Sequence, residues 1–375
     1  MSPLDDHPRG ASRAHLAASH REANARRAGL TGALLDLLED PAVTDVLVNP
    51  DGAVWVERSG TLARTSLTVR DTRALAVRLA ASAGRRLDDA APLVDGTILG
   101  SVRLHALLPP LSGPGAVICL RTTHQRSLTL EALVAGGALH PAAAVRVRTL
   151  LARGANVVVS GATGTGKTTL LSACLGEVGT HERLLIIEEA HELDPSHPHV
   201  VRLQARGANA EGAGEVSMSE LVRAALRMRP DRLVLGEARG AEIREVLAAL
   251  NTGHAGCWFT LHANTPDDVP ARLHALGALA GLTDAALRAQ VVAAIHAVVH
   301  LRRRGSRRYL ADIGVVSAPD GPIVVTPALS VAADGRLLRE DDDAFARLLH
   351  RIDPGVSGDG GAATVHGASG GRHAG

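Results

Sequence analysis

One lysine constrains the fold of this chain more than any other residue. All but one of the 40 basic residues are arginine, and the exception is Lys167. Where arginine serves everywhere else, a retained lysine indicates a position that needs a compact ammonium group and excludes a planar guanidinium. Lys167 lies within GATGTGKTT, whose glycines and threonines have the spacing of a phosphate-binding loop. The segment therefore predicts a strand, a glycine-rich loop and a helix in succession.

The residues on either side of this loop supply the predicted strand and helix. NVVVS at 156–160 is a β-branched run typical of a buried parallel strand, and an apolar helical pattern begins at Thr168. Lys167 would neutralise the β- and γ-phosphates of ATP, and Thr168 would bind Mg²⁺. The alternative is a glycine-rich turn without a ligand. The predicted phosphate-binding residues are Gly161, Ala162, Thr163, Gly164, Thr165, Gly166, Lys167, Thr168 and Thr169.

Further apolar runs predict a doubly wound α/β sheet. They lie at 183–189, 231–237 and 257–262, and a helical pattern at 219–229 separates two of them. Ligands of such sheets bind at the carboxyl ends of the strands, so the side chains that end these runs are candidate site residues. These side chains are Glu188, Glu189, Glu237 and His262.

The carboxylates among them suit phosphoryl transfer. One of Glu188, Glu189 and Glu237 would activate the attacking water or hold Mg²⁺ through water. The alternative for Glu237 is a structural ion pair with Arg239 or Arg232, and the other two carboxylates have the same kind of alternative. The predicted Mg²⁺-contacting residues are Thr168, Glu188 and Glu237.

Composition narrows the classes of protein that fit. Hydrophobic residues make up 46% of the chain and aromatic residues 1%, so the core is expected to be aliphatic. The formal charge of +1 gives no excess of positive charge to hold nucleic acid, and no sequence-specific nucleic acid is expected as a partner. The three cysteines lack disulfide or zinc-site spacing. Without a secretory signal or a long apolar stretch, we expect a cytoplasmic protein with at most peripheral membrane association.

Six segments in order resemble the secretion ATPases of type II and type IV systems, in particular the tight-adherence (Flp) pilus branch and its conjugation-associated relatives. The resemblance covers residues 30–330. The segments are DPAVTDVLVNPDGAVWVER, PLVDGTILGSVRLHALLPPL, VVVSGATGTGKTTLL, IIEEAHEL, ALRMRPDRLVLGEARG and NTGHAGCWFTLHANT.

This resemblance implies roles for further residues. The segment with Glu188 and Glu189 corresponds to an acidic box, and LVLGEARG with Glu237 to an atypical Walker B motif. A histidine box would contain His254 and His262; taken by themselves, the two residues fit ordinary buried histidines better. On the N-terminal side, Arg103 and Arg121 match arginines that face the γ-phosphate when the domains close; taken alone, each is compatible with a solvated surface charge.

The same resemblance implies an architecture and a function. It predicts a RecA-like P-loop NTPase core with a smaller N-terminal α+β (PAS-like) domain, assembled as a homohexamer. The ATPase would use Mg²⁺ and ATP to power pilus assembly or secretion, and would bind a polytopic inner-membrane platform protein at the inner face of the cytoplasmic membrane. Two alternatives stay open: a DNA-translocating or conjugative motor, and a nucleotide-sensing scaffold that does not hydrolyse ATP.

The predicted organisation has five parts. Residues 1–29 are an N-terminal helical arm, and residues 30–121 form the α+β domain. A linker at 122–129 serves as the hinge before the RecA-like ATPase domain at 130–353. The Gly/Ala/Ser-rich tail at 354–375 buries too little to fold and is predicted to be disordered. Within the ATPase domain, RRRGSRR at 302–308 is predicted to be a charged β-turn between two strands.

Overall fold

The computed structural model describes residues 30, 32–58, 60–99, 102–122, 128–207, 214–319 and 321–353. The predicted N-terminal arm and C-terminal tail lie outside the described residues, as does most of the predicted linker. No helix in the described ranges is long and apolar enough to cross a bilayer.

The first part of the described chain is an antiparallel sheet with two helices. Its strand order is β3-β2-β1-β6-β5-β4. A core of its own, built from apolar residues between Leu30 and Leu120, lies between this sheet and the helices. The elements are α1 (Gly32–Glu39), β1 (Val43–Val48), β2 (Ala53–Arg58), β3 (Thr61–Thr68), α2 (Thr72–Ser82), β4 (Leu93–Ile98), β5 (Val102–Leu107) and β6 (Val117–Arg121).

The second part is a nine-stranded mixed sheet with helices on both faces, in the order β15-β14-β13-β12-β7-β11-β10-β8-β9. Its strands are β7 (Val157–Ser160), β8 (Leu184–Glu188), β9 (Val200–Gln204), β10 (Arg232–Leu235), β11 (Trp258–Leu261), β12 (Ala297–Arg304), β13 (Arg307–Ser317), β14 (Val324–Val331) and β15 (Leu337–Glu340). Its helices are α3 (Leu130–Ala135), α4 (Pro141–Ala152), α5 (Lys167–Leu175), α6 (Met218–Ala225), α7 (Ile243–Asn251), α8 (Asp268–Leu279), α9 (Asp284–Ala294) and α10 (Asp342–Ile352).

The four predicted apolar runs form the central strands of this second sheet. In β7, Val157 and Val159 pack into one apolar cluster, which includes residues of α4 and α5, and Val158 packs into a second cluster, which includes residues of α7 and α8. This alternation between two covered faces explains why the strand is apolar at consecutive positions. The strands from β12 to β9 in the sheet order are parallel, and β13, β14 and β15 add an antiparallel extension.

The helix predicted at 219–229 differs from the observed one. Ser217 caps it through a capping box with Glu220, which starts the helix one residue earlier. The α-helix ends at Ala225 and a short 3₁₀ turn follows, after which Arg229 adopts a left-handed φ of 53°. Because Arg229 precedes Pro230, the helical conformation is disfavoured there, and the predicted end was too late.

Candidate active site

The phosphate-binding loop follows β7 at the carboxyl edge of the parallel strands. At Gly161, an added Cβ would lie 2.6 Å from the carbonyl oxygen of Leu301, so the loop approaches β12 more closely than any side chain permits. Gly166, with φ of 97°, turns the chain into α5 in the left-handed conformation that glycine adopts most readily. The glycines at these positions therefore allow the tight backbone course that a phosphate-binding loop requires.

Lys167 lies inside this loop and is 7% exposed. Its Nζ donates to the carbonyl oxygens of Gly161, at 2.9 Å, and Ala162, at 3.1 Å. The same Nζ lies 3.4 Å from Nδ1 of His262. Burial lowers the pKa of Lys167, and the negative charge of Glu237 opposes that shift. The ammonium group is therefore held within the loop by two neutral backbone acceptors.

His262 connects Lys167 to Glu237. Its Nε2 lies 3.0 Å from Oε1 of Glu237, while its Nδ1 faces the lysine. Burial and the charge of Lys167 lower the pKa of His262. A neutral imidazole that accepts from the ammonium at Nδ1 and donates from Nε2–H to the carboxylate satisfies both contacts. The predicted strand-end residues Glu237 and His262 are thus brought together at the loop.

Glu237 also pairs with Arg239, whose guanidinium donates to its Oε2 at 2.8 Å. Burial raises the pKa of Glu237, but the hydrogen bond from Arg239 and the charges of Arg239, His262 and Lys167 outweigh it, so the pKa is lowered overall. Arg239 donates as well to Glu189, which is 49% exposed, at 2.8 Å. The alternative ion pair of Glu237 with Arg239 is therefore present, and it is combined with the contact to His262.

Glu188 occupies a different environment from its neighbour. Its side chain is almost fully buried at the end of β8, and its Oε1 accepts the backbone N–H groups of Glu192 and Leu193 at 3.1 and 2.9 Å. Burial raises the pKa of Glu188 to about 7. Gly236, which follows the neighbouring strand β10, leaves room for this side chain, since a Cβ at Gly236 would lie 2.7 Å from Cγ of Glu188. Glu188 therefore anchors the segment that follows β8.

The two predicted arginines of the N-terminal sheet differ in position. Arg103 on β5 forms an ion pair of 3.1 Å with Glu192, in the segment after β8, and so links the first sheet to the edge that carries the site. Arg121 on β6 pairs with Asp45 of the same sheet and is 63% exposed. Within one chain, the structure brings Arg103 but not Arg121 into contact with a segment bordering the site.

His254 is separated from the other predicted residues. It precedes β11, and because β11 runs parallel to β7, the residue before it lies at the amino edge, opposite the loop. The segment there is fixed by the N–H of Gly256, which donates to the carbonyl of Gly154. Among the described residues, Nδ1 of His254 is buried without a hydrogen-bond partner. The geometry of one chain therefore gives His254 no contact with the phosphate loop.

Sequence reasoning missed three residues at the carboxyl edge of the sheet, where the phosphate-binding loop lies. Glu192 was part of the acidic segment but received no role, and Arg239 appeared only as an alternative ion-pair partner. His300 on β12 is fully buried and its Nδ1 lies 2.8 Å from Oγ of Ser160, directly before the loop. Burial lowers the pKa of His300 to about 4, so it is neutral. The sequence signal that could have identified His300 is its position within the apolar stretch at 291–301, which it interrupts.

The residues present fit a magnesium-bound nucleoside triphosphate. The loop has glycines where side chains would fill the cradle, and Lys167 offers its ammonium there. Thr168 is half-buried in the first turn of α5, at the position whose hydroxyl would contact Mg²⁺. No group of three or more His, Cys, Asp or Glu side chains in the described part of the chain could hold a metal by itself. Mg²⁺ would therefore share phosphate and water ligands, as it usually does.

Sequence comparison finds relatives that are named as conjugal transfer proteins. A "Putative conjugal transfer protein" of Mycobacterium tuberculosis (strain H37Rv) is 48% identical over 332 residues, covering 85% of this chain and 94% of the relative. "Conjugal transfer protein TrbB" of Rhizobium radiobacter is 31% identical over 283 residues, covering 74% of this chain and 84% of the relative.

The fold has a counterpart among solved structures. The Legionella pneumophila ATPase DotB superposes with a TM-score of 0.52 at 20% sequence identity, covering 75% of this chain and 79% of that one. The α/β architecture with its RecA-like core is the fold of such secretion ATPases. The family model described as "Type II/IV secretion system protein" matches residues 30–313. The chain therefore belongs to the type II/IV secretion system family of ATPases.

Proposed function

We propose that this protein hydrolyses ATP in a Mg²⁺-dependent reaction and uses the energy to drive subunit motion. The observation that carries the proposal is the contact series from Lys167 through His262 to Glu237 at the phosphate loop. It joins the ammonium group of the loop to an ionised carboxylate that follows β10, two strands from β7, across the histidine that follows β11. A scaffold that only senses nucleotide has no need of a carboxylate held in this way, which favours the enzyme over that alternative.

In the proposed reaction, Lys167 exchanges its two carbonyl partners for the β- and γ-phosphates. Water attacks the γ-phosphorus, the bond from that atom to the β–γ bridging oxygen breaks, and ADP and phosphate are released. Glu237 accepts the proton of the attacking water, and His262 holds the carboxylate in place. The hydroxyl of Thr168 would hold Mg²⁺, which would supply positive charge to the phosphate oxygens.

The other predicted groups have proposed roles around this centre. Glu188 positions the segment that follows β8, and Glu189 positions the guanidinium group of Arg239. Arg103 and Arg121 would stabilise the γ-phosphate when the N-terminal domain closes, with Arg103 leaving Glu192 to do so. His254, at the opposite edge within one chain, would act only through contact with another subunit.

The motor role rests on family membership. We propose a homohexamer in which residues 30–121 form a domain that closes over nucleotide held by residues 130–353, with a hinge at 122–129. The assembly would lie in the cytoplasm against a polytopic protein of the inner membrane and would power assembly of a Flp-type pilus or type II/IV secretion. The family's link to secretion systems supports this role.

The test of hydrolysis is phosphate release from Mg·ATP by the purified full chain and by its Glu237→Gln variant. Loss of the carboxylate should lower kcat by roughly 10² to 10⁴ while ATP binding persists, because proton acceptance contributes to the transition state and not to ground-state affinity. Glu245→Gln is the matched control. Glu245 on α7 forms a comparable ion pair with Arg223 on α6, and neither residue belongs to the candidate site.

Two results would contradict the proposal. Wild-type protein that neither binds nor hydrolyses Mg·ATP would remove the enzymatic function. Unchanged turnover in Glu237→Gln, with the control also unchanged, would leave hydrolysis in place but remove the role of Glu237.

A DNA-translocating or conjugative motor is the second candidate. It is favoured by the name of the 48% identical relative, a putative conjugal transfer protein. ATPase activity that DNA stimulates, and that falls steeply as salt rises, would support it. The formal net charge of +1 argues against extensive phosphate-backbone contacts by the chain as a whole.

A further inference from the structure

The hairpin between β12 and β13 extends beyond the carboxyl edge of the sheet beside the phosphate loop. His300 of β12 lies opposite Ser160 of β7 in the parallel register, so the residues that follow each strand continue side by side. The carbonyl oxygen of Leu301 would lie 2.6 Å from a Cβ at Gly161, which shows that hairpin and loop touch. The predicted charged turn at 302–308 is observed as this hairpin, with Gly305 at φ of 62°.

Two arginines of this hairpin lie on the side of the phosphate loop. Side chains alternate along a strand, and Leu301 and Leu310 belong to the apolar cluster that includes residues of α5, so Arg303 and Arg308 lie on that same face. Nη1 of Arg303 would lie 3.6 Å from a Cβ at Gly164. Cδ of Arg308 would lie 3.8 Å from a Cβ at Gly166.

These two arginines are direct cross-strand partners, Arg303 opposite Arg308. Like charges placed opposite each other in a sheet are destabilising. In the described part of the chain, neither guanidinium is paired with a carboxylate; Nε of Arg303 donates to the carbonyl of Gly305 instead. Arg302, by contrast, has Asp312 at 3.8 Å. An anion between Arg303 and Arg308 would remove their repulsion.

We propose that Arg303 and Arg308 form a second phosphate-contacting subsite for the nucleotide held by the loop. This inference rests on the proposed binding of ATP. In the sheet order, β11 with His262 lies on one side of β7 and β12 lies on the other, so the hairpin approaches the loop from the side away from His262 and Glu237. A planar guanidinium group can donate two parallel hydrogen bonds to the oxygens of one phosphate group. The two arginines would also add positive charge to that of Lys167, which alone does not balance a triphosphate.

Calorimetric titration of the full chain with Mg·ATP and with Mg·tripolyphosphate tests this subsite. The double variant Arg303→Gln/Arg308→Gln should raise Kd for both ligands at least about tenfold, since charge-assisted hydrogen bonds to phosphate are lost. Arg304→Gln is the matched control: it removes the same charge from the same hairpin, one residue from Arg303 and on the other face of the strand. Its Kd should stay within about twofold of the wild type.

Each other outcome overturns the assignment in an identifiable way. Unchanged Kd in the double variant would show that no subsite exists. Weaker ATP binding with unchanged tripolyphosphate binding would place the arginines at the base or ribose and not at phosphate. Unchanged nucleotide binding with lost co-sedimentation on vesicles of anionic phospholipid would assign the hairpin to lipid headgroups. Failure of the wild type itself to bind ATP would instead refute the proposed function.

Discussion

Replacing Glu188 by glutamine should change how stability depends on pH. Burial raises the pKa of this carboxyl from 4.5 to about 7, so the folded state favours the protonated form. The resulting stability is fully present below about pH 4.5 and is lost as the pH rises through about 7. At about 1.4 kcal/mol per unit of pKa shift, the total loss of folding stability amounts to roughly 3 kcal/mol. About 2 to 3 kcal/mol of it falls between pH 5 and pH 8. Glutamine has no such loss.

Urea unfolding at pH 5 and pH 8 measures this difference. The difference in free energy of unfolding, Glu188→Gln minus wild type, should increase by about 2 to 3 kcal/mol from pH 5 to pH 8, because only the wild type loses stability by ionising this carboxyl. The amide keeps a carbonyl oxygen for the N–H groups of Glu192 and Leu193, so any cost of the substitution itself is the same at both. Glu189→Gln controls for removing a charge from the adjacent, half-exposed position. A variant with the pH dependence of the wild type would refute the reasoning.

Two further predictions concern the surroundings of the site. Gly236→Ala places a Cβ 2.7 Å from Cγ of Glu188 and should destabilise the protein by about 1 to 3 kcal/mol in urea unfolding, whereas Gly32→Ala, with open space around its Cβ position, should not. Arg103→Ala and Arg121→Ala should lower kcat of ATP hydrolysis, by up to about 10³, more than they raise KM, because an arginine that arrives on closure acts in the transition state. Steady-state kinetics equal to the wild type in both variants would contradict closure.

The central strands were predictable because burial on both faces leaves a local signature. Consecutive apolar residues in β7, β8, β10 and β11 follow from a sheet covered by helices on two sides, and each predicted run contains an observed strand. The different environments of Glu188 and Glu189 were not predictable in the same way. Adjacent residues at a strand end point to opposite sides, but which side is closed depends on Gly236, which is distant in sequence.

The separation of His254 from the site followed from topology that the sequence already indicated. A residue that precedes a parallel strand lies at the amino edge, and the rule that pointed to His262 after β11 also argues against His254 before it. The motif resemblance assigned both histidines to one histidine box, although the strand between them carries them to opposite edges of the sheet. The roles of Arg239 and Glu192 depended instead on contacts between segments, which no local pattern encodes.

The charges around Glu237 indicate how substrate would regulate its basicity. Against the opposing effect of burial, Arg239, His262 and Lys167 together hold the pKa of Glu237 below its ordinary value, which favours the ionised form but makes it a weak base. A triphosphate on Lys167 would bring several negative charges to the same edge and oppose that effect, since like charges raise the pKa of a carboxyl. Glu237 would therefore gain affinity for a proton when ATP arrives. Because His262 contacts both Lys167 and Glu237, it would couple these two events through a single neutral ring.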